Sequence, residues 1–153
     1  AHGNLKIYIP EAAAFYTLNS QGTWNFVESD YILNNGIVNS ISFLDENTGW
    51  MLTNKGYLNT YDGGLTWNRH DIELVDTNDR ILKIHFFNQY DGVMVTKNGG
   101  VLKSSDGGIN WQLKYLKGQD YILDADFLPG EKSIIVSIVN DSVEGLEIRK
   151  IMF

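Results

Sequence analysis

The chain has 153 residues, of which 43% are hydrophobic and 12% aromatic, enough to build a core and unlike a disordered segment. Its net charge of −7, with no basic stripe, argues against nucleic acid and anionic membrane surfaces as partners. It has no cysteine, hence no disulfide or thiolate chemistry, and no apolar run approaches the ~20 residues that would insert in a bilayer.

In chain order, Ala1-His2-Gly3 stands where a Met would, which fits a processed or recombinant terminus and leaves export open. Lys6–Ile9 reads as the second strand of a unit whose first strand has no room. Glu11-Ala12-Ala13-Ala14 alone has helix-forming composition and is too short to stand as a helix. Short runs rich in Ile, Val, Thr, Tyr and Trp follow, separated by Gly, Asn and Asp, the pattern of strands and turns. They predict strands near 37–44, 49–54, 57–61 and 66–71, and again near 81–88, 92–97, 101–105 and 110–115. Asn54-Lys55-Gly56 and Lys97-Asn98-Gly99-Gly100 suit tight hairpins, because Asn and Gly tolerate positive φ. Three more strands are predicted near 121–128, 133–139 and 146–152, with none after them to complete a set of four.

These runs repeat. Thr60-Tyr61-Asp62-Gly63-Gly64-Leu65-Thr66-Trp67 and Ser104-Ser105-Asp106-Gly107-Gly108-Ile109-Asn110-Trp111 carry a hydroxyl, Asp, Gly-Gly and Trp at identical offsets, 44 residues apart (67 to 111). Ile41-Ser42-Phe43 aligns with Ile84-His85-Phe86, and Gly49-Trp50-Met51-Leu52-Thr53 with Gly92-Val93-Met94-Val95-Thr96. A worn copy, Thr17–Trp24, keeps the hydroxyl, an Asn for the Asp, and Trp24. A tandem period in the forties, with four strands per unit, predicts an all-β fold of β-propeller blades, each a four-stranded antiparallel sheet. The expected blade units are 5–28 (partial), 37–72, 81–116 and 121–153 (partial), about three and a half blades of one propeller or of a segment of a larger one.

The Ser/Thr-x-Asp-x-Gly-x-Thr-Trp turn resembles the Asp-box, or bacterial neuraminidase repeat. The surrounding Phe, Gly-Trp-Met and Asn-Gly pattern most resembles the photosystem II assembly and stability factors, and sortilin-type receptors, sialidases and xyloglucanases carry the same box. The resemblance implies that the box joins the third and fourth strands of a blade. Asp62 and Asp106 are expected to accept turn amides, Gly64 and Gly108 to allow the turn, and Trp67 and Trp111 to pack between strands. Thr60, Thr66, Ser104 and Trp24 complete the set, read as structural.

No catalytic, metal or cofactor residues are assigned. A sialidase needs an arginine cluster, and only Arg69, Arg80 and Arg149 occur, none in the Arg-Ile-Pro motif of that family. His2, His70 and His85 are far apart, with His85 read as packed or channel-lining. Asp71, Glu73, Asp76 and Asp79 read as an exposed polar link, since Asp76-Thr77-Asn78-Asp79 lacks the central Gly and distal Glu of a calcium loop. Tyr8, Tyr16, Tyr31, Tyr57, Tyr61, Tyr90, Tyr115 and Tyr121 lie mostly outside the box and supply candidate anchors, the majority expected in packing. The resemblance implies a non-enzymatic interaction scaffold that binds a protein or peptide through rim loops, exported, periplasmic or at the cell surface. The alternative is a glycan-binding or glycoside-hydrolase-related segment. Open edges on the partial units, with the largely apolar ending Ile148–Phe153, predict self-association or covering by the remainder of a larger propeller.

Overall fold

In the computed structural model of the chain, residues 6–9, 14–18, 21–28, 37–54, 56–72, 78–115, 120–128, 130–140 and 143–153 are described. They are strands and turns throughout, with no helix among them. The chain divides into two compact units, Ala1–Ile72 and Glu73–Phe153.

The first unit holds two sheets. β1 (Lys6–Ile9), β2 (Ala14–Leu18) and β3 (Trp24–Glu28) form a three-stranded antiparallel meander. β4 (Val38–Phe43), β5 (Gly49–Thr53), β6 (Gly56–Thr60) and β7 (Asn68–His70) form a four-stranded one, in chain order. The second unit repeats the pattern with β8 (Ile81–Phe86), β9 (Gly92–Thr96), β10 (Val101–Ser104) and β11 (Gln112–Tyr115). It closes with the three-stranded sheet of β12 (Asp120–Phe127), β13 (Ser133–Asn140) and β14 (Val143–Met152). These are propeller blades: two complete, one lacking its first strand and one lacking its fourth among the described residues.

Burial explains why the second strands do not alternate. Every residue of β5 (GWMLT) and of β9 (GVMVT) is buried, so both faces of each strand are covered. A strand covered on both faces reads as a continuous apolar run. In the first unit, Met51, Leu58 and Trp67 form a core cluster, with Val38, Ile41 and Phe43 against it. In the second unit, Val93, Val95 and Val101 of one sheet pack on Ile122, Ala125, Ile134, Val136 and Ile138 of the other. The same two sheets are pinned at their margins by Lys132 Nζ on Asp91 Oδ2 (2.6 Å), Lys83 Nζ on Asp124 Oδ1 (3.2 Å) and the Ile122 amide on the Lys97 carbonyl (2.8 Å).

Strand boundaries differ from expectation chiefly at the box. The fourth strands begin at Asn68 and Gln112, two residues later than predicted, because the box turn holds Thr66 and Asn110 to its own Asp. The third strands correspondingly stop at Thr60 and Ser104, whose hydroxyls turn inward on the box. β14 starts three residues earlier than predicted. Of Glu11–Ala14, the described Ala14 opens β2; Glu11, Ala12 and Ala13 lie outside the described residues.

Candidate functional site

Each box begins where its third strand ends. The Thr60 hydroxyl donates to Asp62 Oδ1 (2.8 Å) and accepts the Gly64 amide (2.9 Å) and, at longer range, the Asp62 amide (3.3 Å). Asp62 then reaches forward: its Oδ1 accepts the Thr66 amide (2.9 Å) and its Oδ2 the Thr66 hydroxyl (2.6 Å). The second box repeats this bond for bond. Ser104 Oγ donates to Asp106 Oδ1 (2.8 Å) and accepts from Gly108 (2.9 Å), and Asp106 takes the Asn110 amide (2.9 Å) and side-chain amide (2.8 Å). Asn110 thus replaces Thr66 with an equivalent donor. Both glycines of each pair have positive φ, +77° and +100° at Gly63 and Gly64 and +77° and +95° at Gly107 and Gly108, where other L-residues are strained.

The turns are also tied to the loop before them. The Gly63 amide donates to the Asn47 carbonyl (2.8 Å) and the Gly107 amide to the Tyr90 carbonyl (2.9 Å), again at matching positions. Trp67 is 4% exposed, donates Nε1 to the Gly64 carbonyl (3.0 Å) and meets the Phe43 ring edge-on at 6.2 Å. Trp111, partly buried, meets Phe86 in the same way at 5.8 Å. Each Phe lies over a glycine on the neighbouring strand: a Cβ at Gly49 or Gly92 would sit 2.5 Å from the Phe43 or Phe86 ring.

Trp24 departs from this pattern. It is 44% exposed and forms the first residue of β3 rather than the end of a box turn. Its sheet has no first strand among the described residues, and so no Phe in the place of Phe43 or Phe86 for the indole to pack on. Asn19 and Ser20, the middle of that worn copy, lie outside the described residues.

Electrostatics follows the hydrogen bonds. Burial pulls the Asp62 carboxyl upward, but the bonds from Thr66, Thr60 and Gly64 outweigh that pull and hold it at about 2, against an ordinary 3.8. The Asn110 amide, the Asn110 side chain and the Ser104 hydroxyl hold Asp106 at about 2 as well. Both carboxylates are therefore ionised and engaged within their own turns at neutral pH, a poor state for a proton donor.

The other sequence candidates are spread out. His70 stacks on Tyr57 at 4.7 Å and hydrogen-bonds Asn59 Oδ1 (2.9 Å); His85 stacks on Phe127 at 4.3 Å and touches Phe87 edge-on. Burial lowers the pKa of both imidazoles, with Asp71 and Asp126 respectively pulling the other way. Arg69 pairs with Asp71 (2.8 Å) and Arg149 with Glu147 (2.6 Å), two residues away in each case. Asp79 caps the Arg80 and Asn98 amides; Glu73, Asp76 and Thr77 lie outside the described residues, as do His2 and Tyr31. No group of three metal-ligating side chains occurs among the described residues. Tyr57 is buried, whereas Tyr61 (60%) and Tyr90 (59%) stand in solvent. Leu65 (64%) and Ile109 (76%), at one position in the two boxes, are likewise exposed. Sequence reasoning misses these two and the hydroxyl's acceptor role; their recurrence at equal offsets is the signal that could have found them.

The family model described as photosynthesis system II assembly factor YCF48 matches residues 17–146. Photosystem II assembly lipoprotein Ycf48 of Synechococcus sp. (strain CC9902) is 32% identical over 106 residues, covering 68% of this chain and 29% of the relative. A solved structure of YCF48 bound to D1 peptide superposes with a TM-score of 0.66 at 18% identity, over 97% of this chain and 52% of the other. YCF48 from Cyanidioschyzon merolae gives 0.49 at 14% identity, over 97% and 63%. The chain thus spans under a third of the curated relative and about half of the first solved one. With the blade topology, the repeated box and the family match in agreement, the chain belongs to the YCF48-type family of photosystem II assembly factors.

Proposed function

We propose that this chain is a non-enzymatic interaction scaffold that binds an extended peptide or protein segment through the loops on the box edge of its blades. The observation that carries the reading is a division of labour within each box. The groups capable of chemistry, Asp62 and Asp106, are consumed by turn hydrogen bonds, while the apolar position three residues after each, Leu65 and Ile109, faces solvent; Tyr61 is exposed in the first of these turns, and the exposed Tyr90 accepts the Gly107 amide of the second. Exposed aromatic and aliphatic side chains on rigid turns suit peptide anchoring at low entropic cost. A relative solved with a D1 peptide gives the ligand class its support. The box residues themselves have a structural role in this reading. Export to the periplasm or cell surface belongs to the same proposal and is supported by a relative's being named a lipoprotein.

The test is fluorescence anisotropy with a labelled D1 peptide, beside a glycan array. Saturable peptide binding that weakens at least fivefold in Tyr90→Ser and Ile109→Ser, with unchanged melting temperature, is the expected result. Binding unaffected by these changes would move the site off the box edge. Glycan binding without peptide binding would favour the carbohydrate reading.

A further inference from the structure

The loops that lead into the second strands of the two complete sheets share one backbone and differ in one cluster of side chains. Between β4 and β5 the Leu44 amide donates to the Thr48 carbonyl (2.9 Å), and Asp45 Oδ1 accepts the Asn47 and Thr48 amides (2.8 and 2.7 Å). The Asn47 carbonyl receives the Gly63 amide of the box (2.8 Å). Between β8 and β9 the Phe87 amide donates to the Asp91 carbonyl (2.9 Å), and Asn88 Oδ1 accepts the Tyr90 and Asp91 amides (2.8 Å each). Here the Tyr90 carbonyl receives the Gly107 amide (2.9 Å). Three residues distinguish the second loop. Asn88 stands for Asp45, and its Nδ2 donates to Asp91 Oδ2 (2.9 Å). Asp91 stands for Thr48, and the same Oδ2 accepts Lys132 Nζ (2.6 Å) from the turn between β12 and β13 of the neighbouring sheet. Tyr90 stands for Asn47, with its side chain in solvent.

In the first loop the turn closes on a threonine at the place of Asp91, so an acid there is not needed to shape the backbone. The acid instead joins two sheets. Asp91 Oδ2 gathers one donor from its own loop and one from the next sheet, and the Asp91 side chain is 23% exposed. A charge-assisted bond on a largely covered carboxylate with a second donor in place is worth more than an isolated surface pair. The residue held between Asn88 and the Gly107 amide is Tyr90. We infer that Lys132 is a positioning residue for the Tyr90 anchor: from the neighbouring sheet it braces the β8–β9 loop, through Asp91 and Asn88, and so presents the exposed ring to a peptide segment in one orientation. The inference rests on the peptide-binding reading above and adds that one sheet carries the anchor while the next sheet sets it. An anchor ordered before binding gives up less freedom when it binds. Lys132 acts through the ring and need not touch the peptide itself.

Two readouts separate this inference from the binding reading. The first needs no ligand. Amide hydrogen exchange of the parent, Lys132→Met and Lys132→Arg is followed at Gly107 and at Gly63, the matching box amides. Gly107 should exchange about fivefold faster in Lys132→Met and return to within about twofold of the parent in Lys132→Arg. Gly63, and the Thr96 amide within the same sheet as Gly107, should not change, which a general loss of stability would not produce. The second readout is anisotropy with the same labelled D1 peptide. Lys132→Met should weaken binding about threefold in the parent and leave it unaltered in the Tyr90→Ser background, because the lysine works through that ring. Asp91→Asn, which keeps the lysine, should move both readouts in the same direction and serves if Lys132→Met impairs folding. Gly107 exchange that is indifferent to Lys132→Met and Asp91→Asn overturns the inference, as does an equal loss of binding with and without Tyr90. A parent that binds no peptide while Gly107 accelerates as expected would remove the binding reading and keep Lys132 as the brace of the Tyr90 loop.

Discussion

The three repeated tryptophans occupy one sequence position and three physical situations. Trp67 is nearly fully buried, hydrogen-bonded to Gly64 and edge-on to Phe43; Trp111 is partly buried against Phe86; Trp24 is 44% exposed. The cost of truncating a side chain grows with the packing it gives up and with the cavity it leaves. Trp67→Ala is therefore expected to cost about 3–5 kcal/mol, Trp111→Ala less, and Trp24→Ala within about 1 kcal/mol. Chemical denaturation of the three variants checks the order; equal costs would mean that the motif, rather than its surroundings, sets the energy. At Asp62 the loss is of another kind. Asp62→Ala removes the acceptor for the Thr66 amide and hydroxyl and should cost about 1–2 kcal/mol. Asp62→Asn keeps one acceptor oxygen and should recover part of it, which a comparison of denaturation midpoints would reveal.

At the scale of the element, the Phe-over-Gly pairs explain a part of the repeat that propensity leaves obscure. Gly is poor in strand interiors, yet Gly49 and Gly92 open fully buried strands. The Phe43 and Phe86 rings occupy the space where a Cβ would stand, 2.5 Å from their carbons, so the aromatic covers the backbone and presents its edge to the following Trp. Gly49→Ala and Gly92→Ala should each destabilise by roughly 1–3 kcal/mol through overpacking. Pairing Gly92→Ala with Phe86→Leu should give a cost smaller than the sum, since the second change removes the clash. Strict additivity in that cycle would remove the ring as the cause. The strands themselves were legible in the sequence because Gly, Asn and Asp punctuate each run, and the four-strand unit was legible because it recurs. The first-strand bulges were not. β4, β8 and β12 each shift register near their start, at Val38/Ser40, Ile81/Lys83 and Ile122/Asp124. A bulge inserts one residue without a residue type of its own, so a simple alternation of Leu82, Ile84 and Phe86 against Lys83 and His85 misses it. For the candidate site, the positions of Asp and Trp could be read directly. The exposure of Trp24 could not, because it depends on a strand that its sheet lacks among the described residues.

At the scale of the whole molecule, the shifted carboxylates point to one collective behaviour, loss of stability in acid. Asp62 and Asp106 are held at about 2, and Asp91, Asp124 and Glu131 are also lowered, by hydrogen bonds that include those from Lys132, Lys83 and Lys150. A carboxylate lowered in the folded state binds its proton first in the unfolded chain. Its contribution is complete above the unfolded value near 4 and is lost as pH falls through the folded one, so the box component should disappear between about pH 4 and pH 2. The histidines add an earlier, smaller slope of the same sign. Burial lowers His70 and His85, so below about 6.5 the unfolded chain takes up protons that the folded one refuses. Melting temperature against pH should accordingly be flat above about 7, decline gently below 6.5 and fall steeply below 4. His85→Phe should flatten the first slope, and Asp62→Asn with Asp106→Asn the second. Salt separates the causes, because Asp91, Asp124 and Glu131 face lysines whereas the box carboxylates take only neutral donors. At about 0.5 M NaCl the lysine-dependent part of the acid slope should shrink and the box-dependent part persist. An acid slope abolished by salt, or unaltered in the double Asn variant, would mean that the box turns do not govern acid stability.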